Sequence, residues 1–145
     1  MTSGLDLSCR KLITSGLVIA EPWIGRLLDG SKTWEMRSKP TSKRGWVALI
    51  KKGTGHVVGL GFLSECKSTL SLNEMLAHVD KHQIPSSMIS RGEVDSWTTP
   101  WVFNQVIKLA KPVPYRHQPG AVIWVTLDAE CSSQLSNIMI SKDAT

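Results

Sequence analysis

The strongest constraint on the fold is a pair of short apolar runs joined by a glycine turn. Trp46-Val47-Ala48-Leu49-Ile50 is apolar throughout, and Val57-Val58-Gly59-Leu60-Gly61-Phe62-Leu63 follows after Gly53-Thr54-Gly55. Runs this short, bounded by turn residues, read as buried strands, and the spacing predicts a β-hairpin. Gly59 and Gly61 fall on one face of the second strand, where they predict a bend or a close backbone approach, as at a barrel corner. The remaining segments fit around this hairpin. Leu17 to Ala20 reads as a short strand. Trp23, Ile24, Leu27 and Leu28 recur at helical spacing, with Pro22 in the first turn and Gly30 as the stop. Thr33 to Arg37 alternates like a strand, with Trp34 and Met36 on one face and Glu35 and Arg37 on the other. Ser71-Leu72-Asn73-Glu74 forms a capping box, predicting a helix to about His82. Residues 85–100 read as a long loop. Strands are expected over Trp101–Leu109, interrupted by Pro112 and Pro114, and over Ala121–Leu127. The result is an α+β, mainly β chain: a small, partly open mixed or antiparallel β-barrel with two or more flanking helices.

Charge is concentrated rather than large. Residues 1–60 carry ten Lys/Arg against four Asp/Glu, and seven of those bases lie between Lys32 and Lys52 with Glu35 as the single acid. Trp34 and Trp46 interleave with them, pairing a stacking residue with a phosphate-neutralising one. A solvated basic face is the plainer account of the same run. Six tryptophans outnumber two phenylalanines and one tyrosine, and most are expected in the core because burying an indole gains so much. Trp23, beside Pro22, is the one expected to be partly exposed at a ligand.

Several chemistries fail on spacing. Cys9, Cys66 and Cys131 are odd in number and form no CxxC pair, so neither a disulfide framework nor a zinc finger is expected. His78 and His82 share a helix face, but Val79 stands where a zinc protease carries its glutamate. No GxSxG elbow supports a nucleophile built on Cys66 or a serine with His56, His78, His82 or His117. Gly53-Thr54-Gly55 lacks the GK[ST] of a phosphate loop. No cofactor or metal is therefore expected. No run reaches the ~18 apolar residues of a membrane span, and the start lacks the order of a signal peptide. A cytoplasmic protein of one domain is the expectation, with no membrane partner.

The most informative stretch is Gly30-Ser31-Lys32-Thr33-Trp34-Glu35-Met36-Arg37. It places a lysine at a helix-to-strand turn and a carboxylate and a guanidinium side by side on one strand face. As an exposed pair, Glu35 and Arg37 would contribute at most ~1 kcal/mol. In a cleft, Glu35 could accept base amino protons or serve as a general acid/base.

This stretch, preceded by Pro22-Trp23 and a short amphipathic helix and followed by an apolar strand, resembles the ASCH domain, a family related to the PUA-like β-barrels. The likeness is good over about 16–65 and extends to about 127. The likeness implies an ASCH domain over 15–128, between an unpatterned stretch over 1–14 that reads as a loosely attached arm and a Ser-rich, weakly patterned stretch over 129–145 that reads as a polar, frayed tail. It also implies a cleft beside the first helix lined by Lys32, Glu35 and Arg37, with RNA as the general partner and DNA or a nucleoside as other possibilities. On that basis Lys32, Arg37, Lys39, Lys43 and Arg44 would neutralise phosphates, Trp23 would stack on a base, and Glu35 would read a base edge. Some branches of the family are enzymes, either ribonucleases or hydrolases of the acetyl amide of N4-acetylcytidine. The resemblance therefore implies an alternative, a metal-independent hydrolase using Lys32 and Glu35. The amidohydrolase branch carries a threonine where Glu35 stands here.

Overall fold

A computed structural model describes residues 13–144, so the expected arm over 1–14 falls almost wholly outside the described residues. In chain order the elements are β1 (Ser15–Ile19), α1 (Trp23–Leu28), β2 (Trp34–Arg37), β3 (Gly45–Lys51), β4 (His56–Cys66), α2 (Leu72–Ala77), α3 (Val79–His82), α4 (Ser86–Ser90), β5 (Thr99–Pro114), β6 (Trp124–Thr126) and α5 (Ala129–Ala144). The strands form one mixed sheet in the order β2-β5-β4-β3-β1-β6. β1 runs parallel to β3, and every other neighbouring pair is antiparallel. The mainly β, partly open barrel expected from sequence is the observed architecture.

Both faces of this sheet are covered at β3, which is why its run Trp46–Ile50 is apolar throughout. Ala48 and Ile50 face a cluster with Val57, Leu60, Val125 and Leu135, while Val47 and Leu49 face another with Leu17, Leu27, Leu63 and Phe103. The predicted hairpin is β3–β4. Its glycines sit where neighbours approach closely: a Cβ on Gly59 would collide with Leu28 and come 3.0 Å from the Ile107 carbonyl, and one on Gly61 would meet the Phe103 ring at 2.7 Å. A third cluster joins Trp34 and Met36 of β2 to Met75, Ile84, Ile89 and Val94, so helices α2 to α4 cap the end of the sheet.

Five expectations need correction. The capping box forms, with the Glu74 N–H donating to Ser71 Oγ and the Ser71 N–H to Glu74 Oε1. However, the helix it starts breaks at His78 and resumes as α3, which ends at Gln83 in the left-handed region (φ 63°). Residues 85–100 are not one long loop, since they contain α4 and the buried anchors Ile89 and Val94. Pro112 and Pro114 do not end β5, although residues 109–112 drop out of its pairing with β4 at a register shift. Beyond Val102 the short β2 no longer pairs with it, so that stretch of β5 is an edge, where a missing donor is tolerated. The segment from Ala129 is helical, and Cys131 and Leu135 are buried in the first cluster. The final strand is also shorter than the predicted Ala121–Leu127, although hydrogen bonds from the Val18 N–H to the Ile123 carbonyl and from the Leu127 N–H to the Thr14 carbonyl extend its contact with the β1 side.

The sheet curls until its two ends approach each other. Trp101 on β5 and Trp124 on β6 lie far apart in strand order, yet their rings stack at 5.7 Å and 11°. Near this stack, β2 faces β1 across a seam that no strand ladder closes.

Candidate functional site

The seam is bridged by side chains. The α1 terminus sets the first of them. The Gly30 N–H donates to the Leu27 carbonyl and the Lys32 N–H to the Arg26 carbonyl, while Gly30 takes the positive φ (87°) that the reversal requires. The Thr33 N–H then bonds to the Lys81 carbonyl, so the Lys32 backbone is fixed on both sides. Lys32 is 2% exposed. Its ammonium donates to the carbonyl oxygens of Trp34 and, at 3.0 Å, His82. It lies 3.5 Å from Glu35 Oε1 and 5.6 Å from the centre of the Trp23 ring. Burial pushes the amine below its ordinary pKa, and the Glu35 carboxylate opposes that shift. Two backbone carbonyls thus accept from the ammonium, and the Glu35 carboxylate stands at ion-pair distance as its counter-charge.

Glu35 and Arg37 project from the same face of β2, as their alternation predicts. Glu35 is 5% exposed. Its Oε2 accepts from Arg37 Nε at 2.9 Å and lies 2.7 Å from Arg37 Nη2. That same Nη2 donates to the Val18 carbonyl at 2.9 Å, so Arg37 ties β2 to β1 across the seam. Its guanidinium also lies 5.7 Å from the centre of the Trp101 ring. Beyond Trp101 the stack continues through Trp124 to Lys43 Nζ, 5.0 Å from the Trp124 ring centre. Two cations thus enclose two indoles, an arrangement suited to cation–π attraction.

Between the strands lies an open hollow of about 370 Å³. Trp23, Lys32, Glu35 and Arg37 all line it, so the structure brings these four predicted residues together. Lys39, Lys43 and Arg44 do not line it. They sit on the loop that leaves Arg37: the Lys39 carbonyl accepts from Trp101 Nε1, Lys43 Nζ reaches Ser15 Oγ at 3.2 Å, and Arg44 Nη1 bonds to the carbonyls of Thr41 and Lys43. The sequence reading missed Ser38, Lys52, Ile84, Trp97, Val122 and Ile123, which line it as well. No spacing marks them, because they come from five separate parts of the chain. Two histidines weighed as metal ligands are otherwise engaged. His82 is fully buried, with Nδ1 accepting the Ile84 N–H and Nε2 donating to the Met75 carbonyl, and His78 stands 5.1 Å from the Trp34 ring. The tryptophans are also less buried than expected: only Trp34 and Trp101 are core residues, while Trp97 is 46% exposed.

The architecture is thus a half-barrel: a curled mixed sheet capped by short helices, with a polar trio in its open seam. A family model of the ASCH domain matches residues 17–113, and the chain belongs to that family. Among solved structures, ASCH from Zymomonas mobilis is similar at 12% identity and a TM-score of 0.64, over 86% of this chain and 94% of that one. Two point-substituted forms of the Zymomonas mobilis protein match at 14% identity and TM-scores of 0.63, each over 86% of this chain. At such identities the likeness is one of fold. No curated protein matches the sequence. No helix among the described residues is long and apolar enough to cross a membrane.

Proposed function

We propose that the protein binds RNA in the cytoplasm and draws one unpaired base into the seam between β1 and β2. The observation that carries this reading is the convergence of Trp23, Lys32, Glu35 and Arg37 on one open hollow. The Trp23 indole supplies an aromatic surface for a base, and the only described contact of Glu35 Oε1 is the 3.5 Å approach of Lys32, which leaves it able to accept a base amino proton. Lys39, Lys43 and Arg44, on the loop next to Arg37, supply positive charge along which a phosphate backbone can run.

The alternative, a metal-independent hydrolase of RNA or a modified nucleoside, asks Lys32 to act on substrate. The two carbonyls that accept from its ammonium, with Glu35 as counter-charge, favour binding over that role. The experiment is a titration of single-stranded RNA against the protein at several salt concentrations. The reading predicts binding that weakens steeply with salt and is impaired by Trp23→Ala. Absence of binding at low salt, or a flat salt dependence, overturns it.

A further inference from the structure

The seam holds an excess of positive charge that its own trio does not neutralise. Lys32 and Arg37 share the single carboxylate of Glu35. A third cation, Lys52, lines the same hollow from the end of β3, where its backbone N–H is anchored to the Ile19 carbonyl. Its neighbour Lys51 pairs with Glu21 at 3.3 Å. No carboxylate among the described residues lies within ion-pair distance of Lys52.

The lining is also graded. Lys32, Glu35, Met36 and Ile84 are buried, whereas Ser38, Lys52, Trp97, Val122 and Ile123 are exposed and so form the mouth. A volume of about 370 Å³ lies at the small end of ligand pockets, roughly 300–1,000 Å³, and suits one nucleoside unit rather than a run of stacked bases. A neutral nucleoside placed there would leave the charge excess unanswered.

We propose that the hollow takes a nucleoside phosphate, with its base at the buried trio and its phosphate at the mouth on Lys52. This deepens the RNA-binding reading and rests on it. A lysine at the mouth suits this task, because its ammonium is a mobile point charge that follows a phosphate without demanding bidentate geometry. The Ser38 hydroxyl stands at the same mouth as a neutral donor. The phosphate could belong to a free nucleotide or to one unit of a strand, and the chemistry at Lys52 is the same in both.

The test compares the wild-type chain with Lys52→Gln and with Lys51→Gln. The second is a control that removes the same charge from the neighbouring lysine, already paired with Glu21. Each protein is titrated with a mixed-sequence single-stranded RNA octamer between 50 and 200 mM salt. Competition is then measured with the four nucleoside 5′-monophosphates and their parent nucleosides. Lys52→Gln should weaken octamer binding by about tenfold at low salt and reduce the steepness of the log–log salt plot by about 0.7, the share of one single-strand phosphate contact. Lys51→Gln should change affinity by less than about twofold, as for an already paired surface charge. Monophosphates should compete better than nucleosides.

Equal effects of the two variants on every ligand that binds, or equal competition by nucleosides and monophosphates, would overturn the proposal while leaving RNA binding standing. If the octamer does not bind the wild-type chain, the RNA reading fails. The monophosphates then decide alone: binding that Lys52→Gln removes assigns the site to free nucleotides, and no binding rejects both ideas.

Discussion

Replacing Glu35 with Gln is the sharpest stability test of the buried trio. The substitution keeps the shape and one acceptor but removes the only negative charge between Lys32 and Arg37. The charge-assisted bond from Arg37 Nε at 2.9 Å becomes a neutral one, which costs about 1–1.5 kcal/mol when charged and neutral hydrogen bonds are compared, and the 2.7 Å ion-pair contact with Nη2 is lost. Lys32, 2% exposed, loses its counter-charge as well, and breaking a buried pair from one side costs ~3–5 kcal/mol. Because Arg37 is partly solvated and Lys32 retains two carbonyls, we expect a loss of about 3 kcal/mol, near the lower edge of that range. For a chain of this size that is a drop of roughly 6–12 °C in Tm. Urea unfolding followed by tryptophan fluorescence should show a lower midpoint with an unchanged slope. Adding Lys32→Met to Glu35→Gln should then cost less than Lys32→Met costs alone, because the cation it removes has already lost its partner. A loss below about 1 kcal/mol for Glu35→Gln, the range of exposed ion pairs, would refute the claim that Lys32 and Glu35 act as a buried pair.

Other outcomes follow from the same geometry. Burial holds the His82 pKa below the ordinary imidazole value, so the unfolded chain takes up a proton first as pH falls through about 6.5. Stability should therefore decline on acidification from neutral pH down to the lower folded pKa, and His82→Phe should remove that component in pH-dependent urea melts. Gly59→Ala should cost about 1–3 kcal/mol by overpacking, since the Ile107 carbonyl 3.0 Å from the new methyl belongs to a strand and cannot swing away. Ser71→Ala should cost about 1 kcal/mol in the same assay, through loss of the cap on α2.

Much of the site was legible in the chain because it is local. Gly30 as the stop of α1, Lys32 at the turn, and Glu35 and Arg37 two residues apart on a strand follow from helical and strand periodicity alone. What the local pattern could not contain is the partner across the seam. Val18, Lys52 and Ile123 reach the hollow only because the sheet curls, and the parallel pairing of β1 with β3 is set by contacts far apart in sequence. The same holds for the Trp101–Trp124 stack, which turns two apparent core residues into the joint between opposite ends of the sheet. In α5 a usable signal was present. Cys131, Leu135, Ile138 and Met139 recur at helical spacing and face the first cluster, but the intervening serines resemble a polar tail. Prolines misled for a physical reason too, because Pro112 lies where β5 has become an edge.

The six tryptophans also provide the most direct test, since their indole N–H signals report from different sides of the molecule. Trp23 and Trp97 line the seam, whereas Trp46 packs edge-on against Phe62 at 5.4 Å, outside the residues that line it. In a ¹H–¹⁵N titration with single-stranded RNA, the Trp23 and Trp97 indole signals should shift together while Trp46 stays in place. Shifts at Trp46 with Trp23 and Trp97 unmoved would place the ligand elsewhere and contradict a binding role for the seam.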